Sequence, residues 1–114
     1  MFDQPFFSTE FPVNYETFFY ETVKGKPELT KSADLIAPQG YGELSSGTQK
    51  ITNKKELAKK MREIQVNPKD QEWYLYPIKN SKTPQSGFAI GFERLIQWIC
   101  NIKDIKQTTR LLAK

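Results

Sequence analysis

Histidine is absent from these 114 residues, and cysteine occurs once, at Cys100. The first absence removes Ser-His and Cys-His catalysis and every metal site built on imidazole. The second leaves no internal disulfide and no thiolate zinc site. A metal here would be a hard cation held by oxygen, such as magnesium. No apolar run approaches membrane-spanning length, and no basic segment followed by an apolar one opens the chain. A cytoplasmic location with no membrane partner is expected. Internal repeats and low-complexity linkers are missing as well.

The length points to one domain over residues 1–114, with room for a modest core. Hydrophobic residues make up 38% and charged residues 26%, which excludes disorder by composition. Fifteen aromatics and several β-branched runs favour sheet. Charge is unevenly spread. Residues 1–50 carry four Lys/Arg and seven Asp/Glu, net −3, and residues 51–114 carry thirteen and six, net +7. The basic half could meet phosphate or RNA. The plainer reading makes Lys54, Lys55, Lys59, Lys60 and Arg62 the solvated face of one helix.

Residues 6–12 read as a strand stopped by Pro12, and residues 17–23 as a second, aromatic-rich strand. Lys24-Gly25-Lys26-Pro27 reads as a turn. Residues 31–37 and 42–51 give two more strands, antiparallel neighbours because their connection is short. Asn53 with Glu56 three residues later opens a helix, along which Leu57, Met61 and Ile64 recur at helical spacing. Asn67-Pro68 opens a second helical segment holding Trp73 and Leu75, which Pro77 should end or kink. Residues 86–91 form a fifth strand. Phe92, Leu95, Ile96 and Ile99, widened by Trp98, give a closing helix that should be well buried, and residues 108–114 should fray. The expected fold class is α+β, an antiparallel sheet with helices on one face.

One stretch stands apart: Gly87-Phe88-Ala89-Ile90-Gly91-Phe92-Glu93-Arg94-Leu95. On a strand, Gly87, Ala89 and Gly91 share a face bare of large side chains, and Phe88 and Ile90 share the face that can enter a core. A flat ligand can lie almost on such a floor. Arg94 follows in the first turn of the next helix, where its planar fork can grip a phosphate. Asp34 and Glu43 could reach one pocket if their strands pair, as a carboxylate pair for magnesium on a phosphate. Equally, Asp34 could cap a turn and Glu43 be a solvated strand start. A bulge at Ser45-Ser46, beside Gly47, would place Glu43, Ser46, Thr48 and Lys50 on one face.

The stretch 87–95 resembles motif 3 of the class II aminoacyl-tRNA synthetases. Residues 33–50 resemble the segment before motif 3 in the asparaginyl and aspartyl branch, and residues 7–20 and Trp73-Tyr74-Leu75 fit the same order. Ala37-Pro38 looks more like asparaginyl synthetases and the related archaeal asparagine synthetase, whereas Ser45-Ser46-Gly47 leans toward the aspartyl pattern. The resemblance implies a partial class II catalytic domain that uses ATP and Mg2+. It matches Arg94 to the arginine on the ATP γ-phosphate, and Gly87 and Gly91 to the glycines flanking the adenine, with Ala89 between them. It matches Asp34 and Glu43 to the acids holding magnesium and ATP, and Ser46 to a hydroxyl beside that metal. Lys50 stands where the family has an arginine that reads the amino-acid side chain. In such enzymes a substrate carboxylate attacks the α-phosphorus of ATP, giving an aminoacyl-adenylate for transfer to tRNA and releasing pyrophosphate.

The sequence also departs from the family. It begins after the place of motifs 1 and 2, and no anticodon-binding barrel is present. Lysine at position 50 lacks the arginine's planar fork. Gln85 stands in place of a usual histidine, Pro77 falls inside a segment that is helical in the family, and Lys106-Gln107-Thr108-Thr109 replaces a Pro-Phe-Pro-Arg ending. The expected chain is the C-terminal portion of a catalytic domain, poor at adenylation alone, with an open edge or apolar face that invites a second chain carrying motifs 1 and 2 or another copy. Alternatives from other classes are a non-catalytic module docking on a synthetase or RNA, asparagine synthetase-like amidation with ammonia, and an inactive remnant.

Overall fold

The computed structural model describes residues 2–14, 18–80 and 83–109, the last few of the second span by backbone alone. Strands β1 (Phe6–Thr9), β4 (Ser32–Ala37), β5 (Gly42–Lys50) and β6 (Gln85–Ile90) form one sheet in the order β1-β4-β5-β6. Strands β2 (Thr22–Val23) and β3 (Lys26–Thr30) form a separate hairpin. Three helices complete the α+β fold: α1 (Lys54–Glu63), α2 (Glu72–Asn80) and α3 (Phe92–Ile99). None is long and apolar enough to cross a membrane.

The strands expected at residues 31–37 and 42–51 are present, and the short turn between them makes β4 and β5 neighbours. Others differ. The first strand stops at Thr9 because Glu10 turns to a left-handed φ of 59°, and Pro12 makes only an isolated bridge to Leu29. The second is reduced to two residues plus a bridge from Tyr20 to Lys50, with residue 17 outside the described span. The turn read at residues 24–27 closes earlier, at Gly25 with φ +82°, so that Lys26 and Pro27 already belong to β3. Pro27 is tolerated there on a two-stranded hairpin, where the sheet has edges on both sides.

The chain divides into two compact units. One comprises Glu10–Ser32 and Thr48–Gly87. Its core is Ile51, Leu57, Met61, Leu75 and Ile78, with Phe18, Phe19, Val66 and Tyr74 packed against it. Helix α1 starts where the capping signal placed it: Asn53 Oδ1 accepts from the N–H of Lys55 at 3.0 Å and of Glu56 at 3.1 Å. On its basic side Lys55, Lys59 and Arg62 are exposed and Lys59 pairs with Glu63, whereas the Lys60 ammonium is buried, 3.7 Å from Glu56. A 3-10 turn over Pro68–Gln71, capped by Asn67, leads into α2. Pro77 does not end α2, which runs on to Asn80. Its ring forfeits one helical bond, but Leu75 and Ile78 on either side are anchored in the core.

The other unit comprises Met1–Thr9, Ala33–Gly47 and Phe88–Lys114. Strand β1 pairs antiparallel with β4, Phe7 opposite Leu35 and Ser8 opposite Asp34. Ala37 and Leu44 are its buried apolar side chains among the described residues. The remaining apolar surface is largely open, contrary to expectation. Phe88 is 75% exposed and Ile90 52%, so the β6 face expected in a core is largely open among the described residues. Helix α3 has no buried residue, and Phe92 and Ile99 are 67% and 70% exposed. An apolar stripe is buried only if a second layer covers it, and the described residues supply none at these places. A 3-10 turn at Ile105–Thr108 follows α3, and residues 110–114 lie outside the described span.

Candidate functional site

The segment after β6 positions the site. Gly91 is the N-cap of α3, and its N–H donates to the Leu44 carbonyl at 2.8 Å, which fixes the start of the helix on β5. Arg94 then reaches back over that strand. Its Nη1 donates to the backbone carbonyl of Glu43 at 2.8 Å. A bond from a charged donor contributes about 1.5–3 kcal/mol, enough to keep a long side chain in one place. Gly42, at φ +82°, brings the chain in just beneath, where an added Cβ would lie 3.7 Å from Arg94 Nη1.

An open cleft of about 420 Å³ results, lined by Glu43, Leu44, Ser46, Ala89, Ile90, Gly91, Glu93, Arg94 and Ile105. Its floor is small. Gly91 has an ordinary φ of −72°, and a Cβ there would make only normal contacts, 3.6 Å to Arg94 Cβ and 3.7 Å to the Leu44 oxygen. The glycine is therefore not demanded by the chain's own packing; what it leaves is room. Above the floor stand charges without partners. Among the described residues, the Arg94 fork has no bond beyond the one to Glu43, and the Glu43 carboxylate has none. Arginine and carboxylate share the cleft without pairing to each other.

The sequence-predicted residues divide accordingly. Arg94, Glu43, Ser46, Ala89 and Gly91 come together in the cleft. Gly87 does not line it and belongs to the other unit; a Cβ there would meet nothing within 4 Å. Asp34 is half-buried on β4 opposite Ser8 and is not among the lining residues. Lys50 also belongs to the other unit, where its ammonium lies 4.3 Å from the centre of the Phe19 ring and 5.1 Å from that of Tyr20. Burial lowers its pKa from the usual 10.5, and the attraction of the rings offsets part of that cost. Glu43 and Ser46 line the cleft together, while Ser45 and Gly47 line a different hollow.

Sequence reasoning missed Ile105 and Leu44. Ile105 sits on the 3-10 turn whose cap, Asp104, accepts from the Lys106 N–H at 3.0 Å. The Asp-Ile-Lys signal was readable, but nothing local says that a turn so far from β5 folds back onto it. Oxygen ligands suit magnesium. No group of three or more His, Cys, Asp or Glu could hold an ion among the described residues. The oxygen donors in the cleft are the carboxylates of Glu43 and Glu93 and the Ser46 hydroxyl, and magnesium accepts few protein ligands and completes its shell with water and phosphate oxygens.

A second hollow of about 360 Å³, almost wholly apolar, lies in the same unit between Phe7, Ala33, Leu35, Ser45, Gly47, Phe88 and Ile90.

Residues 1–111 match the family model described as tRNA synthetases class II (D, K and N). The chain is 36% identical over 107 residues to the asparagine–tRNA ligase of Herpetosiphon aurantiacus, covering 94% of this chain and 24% of that protein. It is 36% identical over 108 residues to that of Pyrococcus abyssi, covering 95% and 25%. Asparaginyl-tRNA synthetase from Pyrococcus horikoshii superposes with a TM-score of 0.90 at 33% identity, over 95% of this chain and 26% of that one. The same enzyme complexed with asparaginyl-adenylate gives 0.87 at 33% identity, over 95% and 25%. The chain thus spans about a quarter of the length of the curated relatives it matches.

Proposed function

This chain belongs to the class II tRNA synthetases of the D, K and N group, and from that premise we propose that it forms the nucleotide-gripping portion of an asparaginyl-type catalytic domain. The observation that carries the reading is the cleft in which the Arg94 fork stands beside the Glu43 and Glu93 carboxylates with no ion pair among them, over a floor of Ala89 and Gly91. Opposite charges left apart in one cleft suit a ligand that carries both phosphate and metal.

In this reading the adenine lies on the small-residue floor of Ala89 and Gly91, and Ile105 supplies an apolar wall. Arg94 takes the γ-phosphate. Glu43 and Ser46, with Asp34, offer oxygen to magnesium, which when bound neutralises charge on the phosphates. Asparagine is the amino acid favoured, because the relatives near 36% identity are asparagine–tRNA ligases. The substrate's α-carboxylate attacks the α-phosphorus, pyrophosphate leaves, and the adenylate is passed to tRNA. No general base is needed, since the carboxylate is already a nucleophile. The cell compartment for this reading is the cytoplasm.

Arg94 is the one arginine in the cleft among the described residues. The residues at hand therefore supply only one side of the phosphate grip, and on their own they adenylate poorly. The apolar hollow at Phe7, Leu35, Phe88 and Ile90 supports the companion claim that further polypeptide of the synthetase type covers this face in the working enzyme.

Calorimetric titration tests the nucleotide claim. The wild-type chain should bind ATP in a magnesium-dependent way, and Arg94→Ala should weaken that binding by about a hundredfold. A wild-type chain without magnesium-dependent ATP affinity refutes the reading.

A further inference from the structure

Three hydrogen bonds tie the start of β5 to α3, and they run in reverse chain order. The Leu44 carbonyl accepts from the Gly91 N–H at 2.8 Å, just before the helix. The Glu43 carbonyl accepts from Arg94 Nη1 at 2.8 Å, in the first helical turn. The Tyr41 hydroxyl donates to Asn101 Oδ1 at 2.6 Å, just past the last turn. Residues 41, 43 and 44 therefore meet 101, 94 and 91.

The far end of the helix is built to hold this arrangement. Asn101 adopts φ +51°, a left-handed conformation that asparagine tolerates better than most residues. Its N–H donates to the Trp98 carbonyl at 3.2 Å, and the Ile102 N–H donates to the Gln97 carbonyl at 2.9 Å. That pair of bonds is the helix ending a left-handed residue makes at this position. Gln97 Nε2 also donates to the Lys103 carbonyl at 3.1 Å. Meanwhile α3 spans only eight residues, and even Leu95, Ile96 and Trp98 are only partly buried, so packing alone holds it weakly and polar ties add to its placement.

We propose that Tyr41 and Asn101 form a positioning clamp for Arg94. Pinning the C-terminal end of α3 to the β4–β5 turn holds the helix on β5 and keeps the guanidinium seated on the Glu43 carbonyl, aimed into the cleft. The clamp deepens the nucleotide reading and rests on it. Neither Tyr41 nor Asn101 lines the cleft; both act through Arg94.

The test compares the affinities of the full chain for ATP and AMP, each with magnesium. Tyr41→Phe and Asn101→Gly should lose about three- to tenfold in ATP affinity while AMP affinity stays unchanged, because Arg94 serves the terminal phosphate. Asn101→Asp, which keeps an acceptor oxygen and tolerates the left-handed backbone, should bind ATP like the wild type. Adding Tyr41→Phe to Arg94→Ala should cost nothing further. Equal losses for ATP and AMP, or additive losses in the double variant, overturn the clamp. If the wild type binds neither nucleotide, the nucleotide reading fails, and the ligand-free protein decides the clamp by itself. Exchange of the Arg94 guanidinium protons with water, followed by NMR, should then quicken in Tyr41→Phe and not in Asn101→Asp. Unchanged exchange in Tyr41→Phe overturns the clamp.

Discussion

Lys50 shows how the setting of one side chain can escape the sequence. Its position in the order of motifs was plain, but its neighbours Phe19 and Tyr20 lie some thirty residues earlier in the sequence. Burial lowers the Lys50 pKa from 10.5, so the folded value lies below the unfolded one. Between the two values the unfolded chain holds more protons, and the contribution of Lys50 to stability rises with pH. Urea unfolding of wild type and Lys50→Met at neutral pH and near pH 10.5 should therefore show the wild type gaining on the variant at the higher pH. Tyr74, whose pKa burial raises above 10.0, loses stability as pH climbs past that value, but it is common to both proteins and cancels in the difference. A stability difference that does not change with pH contradicts the desolvated placement of Lys50.

Elements were legible where local chemistry decides them. The Asn53 and Asn67 caps start their segments as their side-chain bonds require, and β4 and β5 fall within a residue of their expected bounds. Strand β3 was missed because Pro27 argues for a turn when read alone, and only the paired hairpin makes it acceptable. Helix α2 was expected to end at Pro77, yet packing of Leu75 and Ile78 carries it through. That override has a cost that can be recovered. Pro77→Ala restores an N–H to the helix and should raise stability by about 1 kcal/mol or more, read as a higher urea midpoint with an unchanged m-value. A lower midpoint would show that the proline ring is itself a needed contact.

At the scale of the whole molecule, the misread features share one cause. The periodicity of β6 and α3 correctly marks apolar faces, but periodicity cannot say whether anything in this chain lies against them. Phe88, Ile90, Phe92 and Ile99 remain exposed, and the relatives are about four times as long. An apolar face of this kind favours association. Light scattering over a concentration series should show the average mass rising with concentration for the wild type and rising less for Phe88→Lys; identical monomeric behaviour of both would contradict it. The cleft itself was half legible. Motif spacing found Arg94, Glu43, Ser46, Ala89 and Gly91, whereas the bond from Arg94 to the Glu43 carbonyl, and the return of Ile105, depend on contacts across some fifty residues or more. Addition of Mg·ATP to the isotopically labelled chain, followed through its backbone amide signals, tests the central claim most directly. The account predicts that the signals of Leu44, Ser46, Ala89, Gly91 and Arg94 shift together with one affinity while those of Leu57 and Met61 stay in place, and an unmoved cleft, or shifts confined to the basic face of α1, would contradict it.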